Sequence, residues 1–142
     1  MNLRRLALAG SLALVAGCSR SRPRSGCDLG AGPCSAEPDG VAVRLELSPR
    51  PLRPLRELDA AVALSSGGSP LDGAAVSVRL SMPGMYMGEN RAVLAPLGNG
   101  RYGGKVVLVR CASGRGDWVA EVSARLPGGS DVRARFSLEA SE

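Results

Sequence analysis

Of the four methionines in this chain of 142 residues, one is Met1 and the other three fall in Ser81-Met82-Pro83-Gly84-Met85-Tyr86-Met87-Gly88-Glu89-Asn90. Thioether sulfur is a soft, neutral donor that prefers Cu(I), and a loop presenting two or three methionines can hold that ion in an all-sulfur site. Met85 and Met87, spaced i and i+2, point to the same side of extended backbone, and Met82 can reach them across the Pro83-Gly84 bend. Cys111 is a candidate fourth donor if the strand before it ends beside this loop. Its thiolate would tighten binding, and the metal would protect it from oxidation. The same residues also suit a plainer role, in which Met82, Met85 and Met87 are flexible apolar fillers where a loop folds over one end of the domain.

The absence of histidine bounds the rest of the chemistry. It removes Ser-His-Asp and Cys-His nucleophile pairs, histidine-ligated zinc and imidazole acid-base catalysis. Sites for Cu(II) usually recruit imidazole, so copper held here is expected to be Cu(I). Glu57 with Asp59, and Glu89 with Asp117, are read as solvated or capping carboxylates at turns and strand ends. Gly98-Asn99-Gly100 and Gly103-Gly104 precede no helix, so they are hairpin chemistry and not phosphate loops. The expectation is a protein that acts by binding and not an enzyme.

The elements that position these sulfurs read as strands. Val41, Val43, Leu45 and Leu47 alternate with Ala42, Arg44 and Glu46, the period-two pattern of a strand with one buried face. Pro49, Pro51 and Pro54 make a connection, after which Leu58, Ala60, Val62 and Leu64 resume the alternation. Ser65 to Pro70 is read as a loop. Val76, Val78 and Leu80 form a third strand, Arg91 to Leu97 a fourth and Tyr102 to Val109 a fifth. Trp118 to Leu126 and Val132 to Leu138 complete the set, separated by Pro127-Gly128-Gly129-Ser130. Seven short strands with no helical period predict an all-β fold, an immunoglobulin-like antiparallel sandwich over residues 41–139. Trp118 and Phe136 are its expected core anchors.

The N-terminus reads as an address. Arg4 and Arg5 precede an apolar run from Leu6 to Ala16, long enough for a secretory signal and too short to span a bilayer. Leu14-Val15-Ala16-Gly17-Cys18 resembles the bacterial lipobox, from which residues 1–17 are expected to be a lipoprotein signal peptide and Cys18 an acylated first mature residue carrying chains such as palmitate; the alternative is an ordinary cysteine after a conventional signal peptide. Loss of Arg4 and Arg5 lowers the formal charge from +5 to +3. Arg20, Arg22 and Arg24 would then lie against anionic headgroups. With no basic helix and no aromatic stacking run, the high pI does not indicate a nucleic-acid partner.

Residues 18–40 read as a disordered Pro, Gly, Ser and Arg-rich tether. In an oxidising compartment Cys27, Cys34 and Cys111 leave one cysteine over. A bridge between Cys27 and Cys34 would close a short turn and leave Cys111 free; the alternative joins Cys111 to one of them.

Ser81 to Arg91, with Gly100-Arg101-Tyr102, Cys111 and Asp117-Trp118-Val119-Ala120, resembles the Met-x-Met-Gly, Gly-x-Tyr, Cys and Trp pattern of bacterial YtkA-like domains, which are related to the FixH family. The similarity spans about residues 41–139, and Cys27 to Cys34 resembles the leader of lipoproteins of that kind. The resemblance implies an immunoglobulin-like sandwich on the extracytoplasmic, periplasmic face of a bacterial membrane. It also implies copper handling or respiratory oxidase assembly, with Met85, Met87 and Cys111 at the matching positions. The chain differs from the pattern in Pro83-Gly84 and in having no histidine. The expected function is Cu(I) delivery or sequestration beside a membrane cuproprotein. The alternative is an envelope protein-interaction module without metal.

Overall fold

A computed structural model describes residues 26–86 and 88–140, and among them every regular element except one short 3-10 turn at Pro38–Gly40 is a β-strand. The strands are β1 (Cys34–Ala36), β2 (Ala42–Ser48), β3 (Glu57–Ser66), β4 (Ser69–Pro70), β5 (Ala75–Ser81), β6 (Arg91–Gly98), β7 (Arg101–Val107), β8 (Asp117–Arg125) and β9 (Asp131–Glu139). All seven strands expected from alternation are present. Their inward residues are the ones the pattern selects: Val43, Leu45 and Leu47 on β2, Val76, Val78 and Leu80 on β5, and Val132, Ala134, Phe136 and Leu138 on β9.

The strand order is β1-β2-β3-β7-β6-β5-β8-β9, every neighbouring pair antiparallel. One layer is β1-β2-β3-β7-β6, with β4 paired to β3, and the other is β5-β8-β9, the two antiparallel layers of an immunoglobulin-like sandwich. Strand β6 belongs to both: Arg91 to Leu94 pair with β5, whereas Ala95 to Gly98 pair with β7. Pro96 sits where the strand changes partner, and its missing N–H removes a ladder bond at that point.

Two elements escaped the alternation. Gly67 and Gly68, both at positive φ, form a two-residue hairpin that pairs Ser66 with Ser69, so the segment read as a loop contains β4. The domain also starts earlier than Val41. Cys34 to Ala36 pair with Val43 to Leu45, Leu29 is fully buried, and Asp28 bridges Ser137 of β9. The Asp28 carboxylate accepts hydrogen bonds from the Gly30 and Glu139 N–H groups at 2.8 and 3.1 Å. Part of the expected tether thus crosses from one layer to the other. The Cys27–Cys34 disulfide spans that crossing, and Cys111 is the free cysteine. One apolar residue among glycines and prolines has no period to betray it, which is why Leu29 was passed over.

Antiparallel pairing gathers three loops at one end: residues 49–56, 82–90 and 108–116. The Asn90 side-chain amide donates to the Val107 carbonyl at 2.9 Å, and the Leu55 N–H to the Leu108 carbonyl at 2.7 Å. Leu55 follows Pro54 at φ +61°, the position of a type II turn that favours glycine. A leucine there costs about 1–2 kcal/mol in backbone strain. Leu55→Gly is therefore expected to stabilise the fold by about 0.5–1 kcal/mol, the strain relief outweighing the added chain entropy, as a urea midpoint would show.

Candidate functional site

The methionine loop starts as a continuation of β5. Met82 extends the inward series Val76, Val78, Leu80 and is only 3% exposed, so its side chain belongs to the core. Pro83 and Gly84 then reverse the chain: the Met85 N–H donates to the Met82 carbonyl at 3.2 Å, and Gly84 sits at φ +72°. This is the proline-then-positive-φ pattern of a type II turn, here with the glycine it favours. The turn lifts Met85 out of the core to 36% exposure, at the mouth of the loop.

Cys111 closes on it from the loop after β7. Its Sγ lies 3.5 Å from Met85 Sδ, the thiol donating to the thioether, and Cys111 is 7% exposed. Two sulfurs bound to one metal at about 2.3 Å with tetrahedral to trigonal angles would stand about 3.8–4.0 Å apart. The observed separation needs only a few tenths of an ångström of opening. The structure therefore brings together Met85 and Cys111. Met82 serves as core filler. Met87 and the expected lipidation site Cys18 lie outside the described residues, as does the signal segment 1–17.

Three residues around the thiol were not anticipated. The turn Cys111-Ala112-Ser113-Gly114, closed by the Gly114 N–H on the Cys111 carbonyl, folds the Ser113 hydroxyl to 2.9 Å from Cys111 Sγ. Asp117 then holds Arg115 with two hydrogen bonds of 2.9 and 2.6 Å, fixing the guanidinium near the sulfur. Hydrogen bonding to the Ser113 hydroxyl, then to the Ser113 N–H, pulls the thiol below its ordinary pKa; Arg115 adds to the pull and desolvation opposes it. A serine two residues after a cysteine and just before a glycine was the available signal, since such a turn returns the hydroxyl to the sulfur.

The lowered pKa has a sign. The folded state favours thiolate, so its contribution to stability is present above the ordinary thiol pKa and lost as pH falls through the lowered one. The thiolate absorbance of Cys111 is expected to titrate with a midpoint below the range of an ordinary free thiol. Ser113→Ala should move that midpoint upward.

Several other charged groups are already paired. Glu57 and Asp59 flank Lys105 at 3.5 and 2.6 Å, which raises the lysine pKa. A depression of about 500 Å³ on the outer face of β5, β8 and β9 has Ser77 and Ser123 on its floor. Of its carboxylates, Glu121 is bound to Arg79 and Arg135 and Asp131 to Arg125, while Glu89 makes no ion pair among the described residues. Among the described residues no cluster of three or more His, Cys, Asp or Glu side chains could hold a metal. No helix of the described residues is long and apolar enough to cross a membrane. No family model matches the chain, and no curated protein matches it.

Proposed function

We propose that this chain is an extracytoplasmic lipoprotein, anchored through Cys18, that binds Cu(I) through Cys111 and Met85 for sequestration or for delivery to a membrane cuproprotein. The observation that carries the reading is the 3.5 Å approach of a thiol and a thioether contributed by two different loops. Thiolate and thioether are both soft, and the chain has no histidine to compete as a ligand. The lowered thiol pKa makes the ligating thiolate easier to form than at an ordinary cysteine. A half-exposed methionine beside a nearly buried cysteine suits a cargo that must leave by ligand exchange, because the incoming ligand can displace the thioether first.

Supporting the address are the signal pattern of residues 1–17 and the Ala16-Gly17-Cys18 sequence. A Cys27–Cys34 disulfide also suits an oxidising compartment. The test is a Cu(I) titration of the reduced-Cys111 protein against a chromophoric chelator under anaerobic conditions. One equivalent withdrawn from the chelator, and withdrawn less well by Met85→Leu, is expected. If the protein takes no copper from even a weak chelator, the metal reading fails, and the end loops are better regarded as a protein-interaction surface.

A further inference from the structure

The end of the sandwich that carries the sulfur pair has a second character. Leu55 is 64% exposed and Tyr86 is 88% exposed, and with Met85 they are, among the described residues, the large apolar side chains that stand out from its loops. The other exposed large hydrophobic residues, Val93, Leu97 and Val107, lie within strands, so among the described residues the loops at the opposite end show none. Leu55 is held outward at φ +61°, a conformation in which glycine would be the easier choice.

Charge follows the same division. Residues 49–56, 82–90 and 108–116 contain Arg50, Arg53, Arg56, Arg110 and Arg115 against one acid, Glu89. Arg50 pairs with Glu46 and Arg115 with Asp117, while Arg53, Arg56 and Arg110 are exposed and make no ion pair among the described residues. Asp28, Glu57, Asp117 and Glu139 lie at the rim, where the Asp28 carboxylate accepts backbone N–H groups, Glu57 meets Lys105 and Asp117 meets Arg115. Leucine and tyrosine tips on loops that also carry exposed, unpaired arginines match the interface of an anionic bilayer, where aromatic and aliphatic groups enter the headgroup layer and guanidinium groups meet lipid phosphate.

The chain enters the domain at this same end, through Cys27 and Asp28 beside Glu139. Eight residues separate Cys18 from Cys27. At full extension such a segment reaches about 30 Å, so an anchor at Cys18 keeps this end close to the lipid surface. We propose that the end of the sandwich bearing Leu55, Tyr86, Arg53, Arg56 and Arg110 docks on the anionic surface of the bilayer that holds the chain, so that Met85 and Cys111 face the membrane. The proposal rests on the membrane-anchored reading above, and its occupant is lipid.

The full chain is reconstituted on phosphatidylcholine vesicles containing phosphatidylglycerol, with brominated lipid as quencher. Trp118 is buried and serves as an internal reference, while Tyr86→Trp places a reporter on an exposed position that no packing constrains. Loss of at least half of the added indole fluorescence to brominated lipid, with Trp118 in the parent unchanged, is expected. Arg53→Glu with Arg56→Glu and Arg110→Glu should restore most of that fluorescence, as should vesicles of phosphatidylcholine alone. If the protein sediments with the vesicles but the reporter is quenched by aqueous iodide and not by bromolipid, docking is wrong and the anchor stands. If the protein stays in the supernatant, both the anchor and the docking are overturned.

Discussion

Replacing Cys111 with serine is expected to weaken Cu(I) binding by at least about 100-fold, or about 3 kcal/mol, because it exchanges the only anionic soft donor of the site for a hard hydroxyl. The substitution is nearly isosteric, and the side chain lies at the top of the core, so the fold should persist. Met85→Leu keeps the volume and removes the neutral thioether, and its loss should be smaller, about tenfold. The ranking is informative. A cluster serving only as apolar filler would show no such order, since leucine fills space as well as methionine does. The pH dependence adds a second signature: binding to the parent should level off once Cys111 is ionised, below the range of an ordinary thiol, and Ser113→Ala should move the plateau to higher pH. Both readings come from competition with a chromophoric chelator at several pH values.

Trp118→Ala is expected to cost about 3–5 kcal/mol, enough to unfold most of the population of a domain with a typical stability of about 5–15 kcal/mol once it is warmed. Trp118 is the largest fully buried side chain and lies on β8 opposite Leu138, two register positions from the Ala120–Phe136 pair. The aromatic-poor core has little to refill the cavity, because its neighbours on β8 are Ala120, Val122 and Ala124. Trp118→Phe should be much milder. The indole Nε1 is buried without a hydrogen-bond partner, so phenylalanine removes an unsatisfied donor along with part of the volume. Circular dichroism melts of the three proteins test the difference, with the alanine variant far below the other two.

The fold was legible because alternation survives wherever one face of a strand is buried. β2, β3, β8 and β9 show unbroken inward series, and their observed bounds differ from the expected ones by one or two residues. Met82 shows the limit of reading the same residues for softness. Its position two residues after Leu80 already placed it inward, and periodicity was the better guide than sulfur chemistry. Cys34 was recognised as a disulfide partner but not as a strand residue, since three residues beside a proline carry too little pattern. Leu29 packs by virtue of contacts made about 110 residues away in sequence, around Ser137, which no local rule registers.

The candidate site divides in the same way. Met85 and Cys111 were selected by donor type, and what joins them is tertiary: two loops brought to one end by the pairing of β5 with β8 and of β3 with β7. The support of the thiol by Ser113, and of Arg115 by Asp117, depends on a turn whose geometry a list of residue types does not specify.

X-ray absorption at the copper edge of the Cu(I)-loaded full chain is the most direct measurement. A shell of sulfur scatterers only is expected, at about 2.3 Å as for other first-row metal thiolates, with one scatterer lost in Cys111→Ser. A first shell of oxygen or nitrogen, or a spectrum unchanged by that substitution, would contradict that expectation.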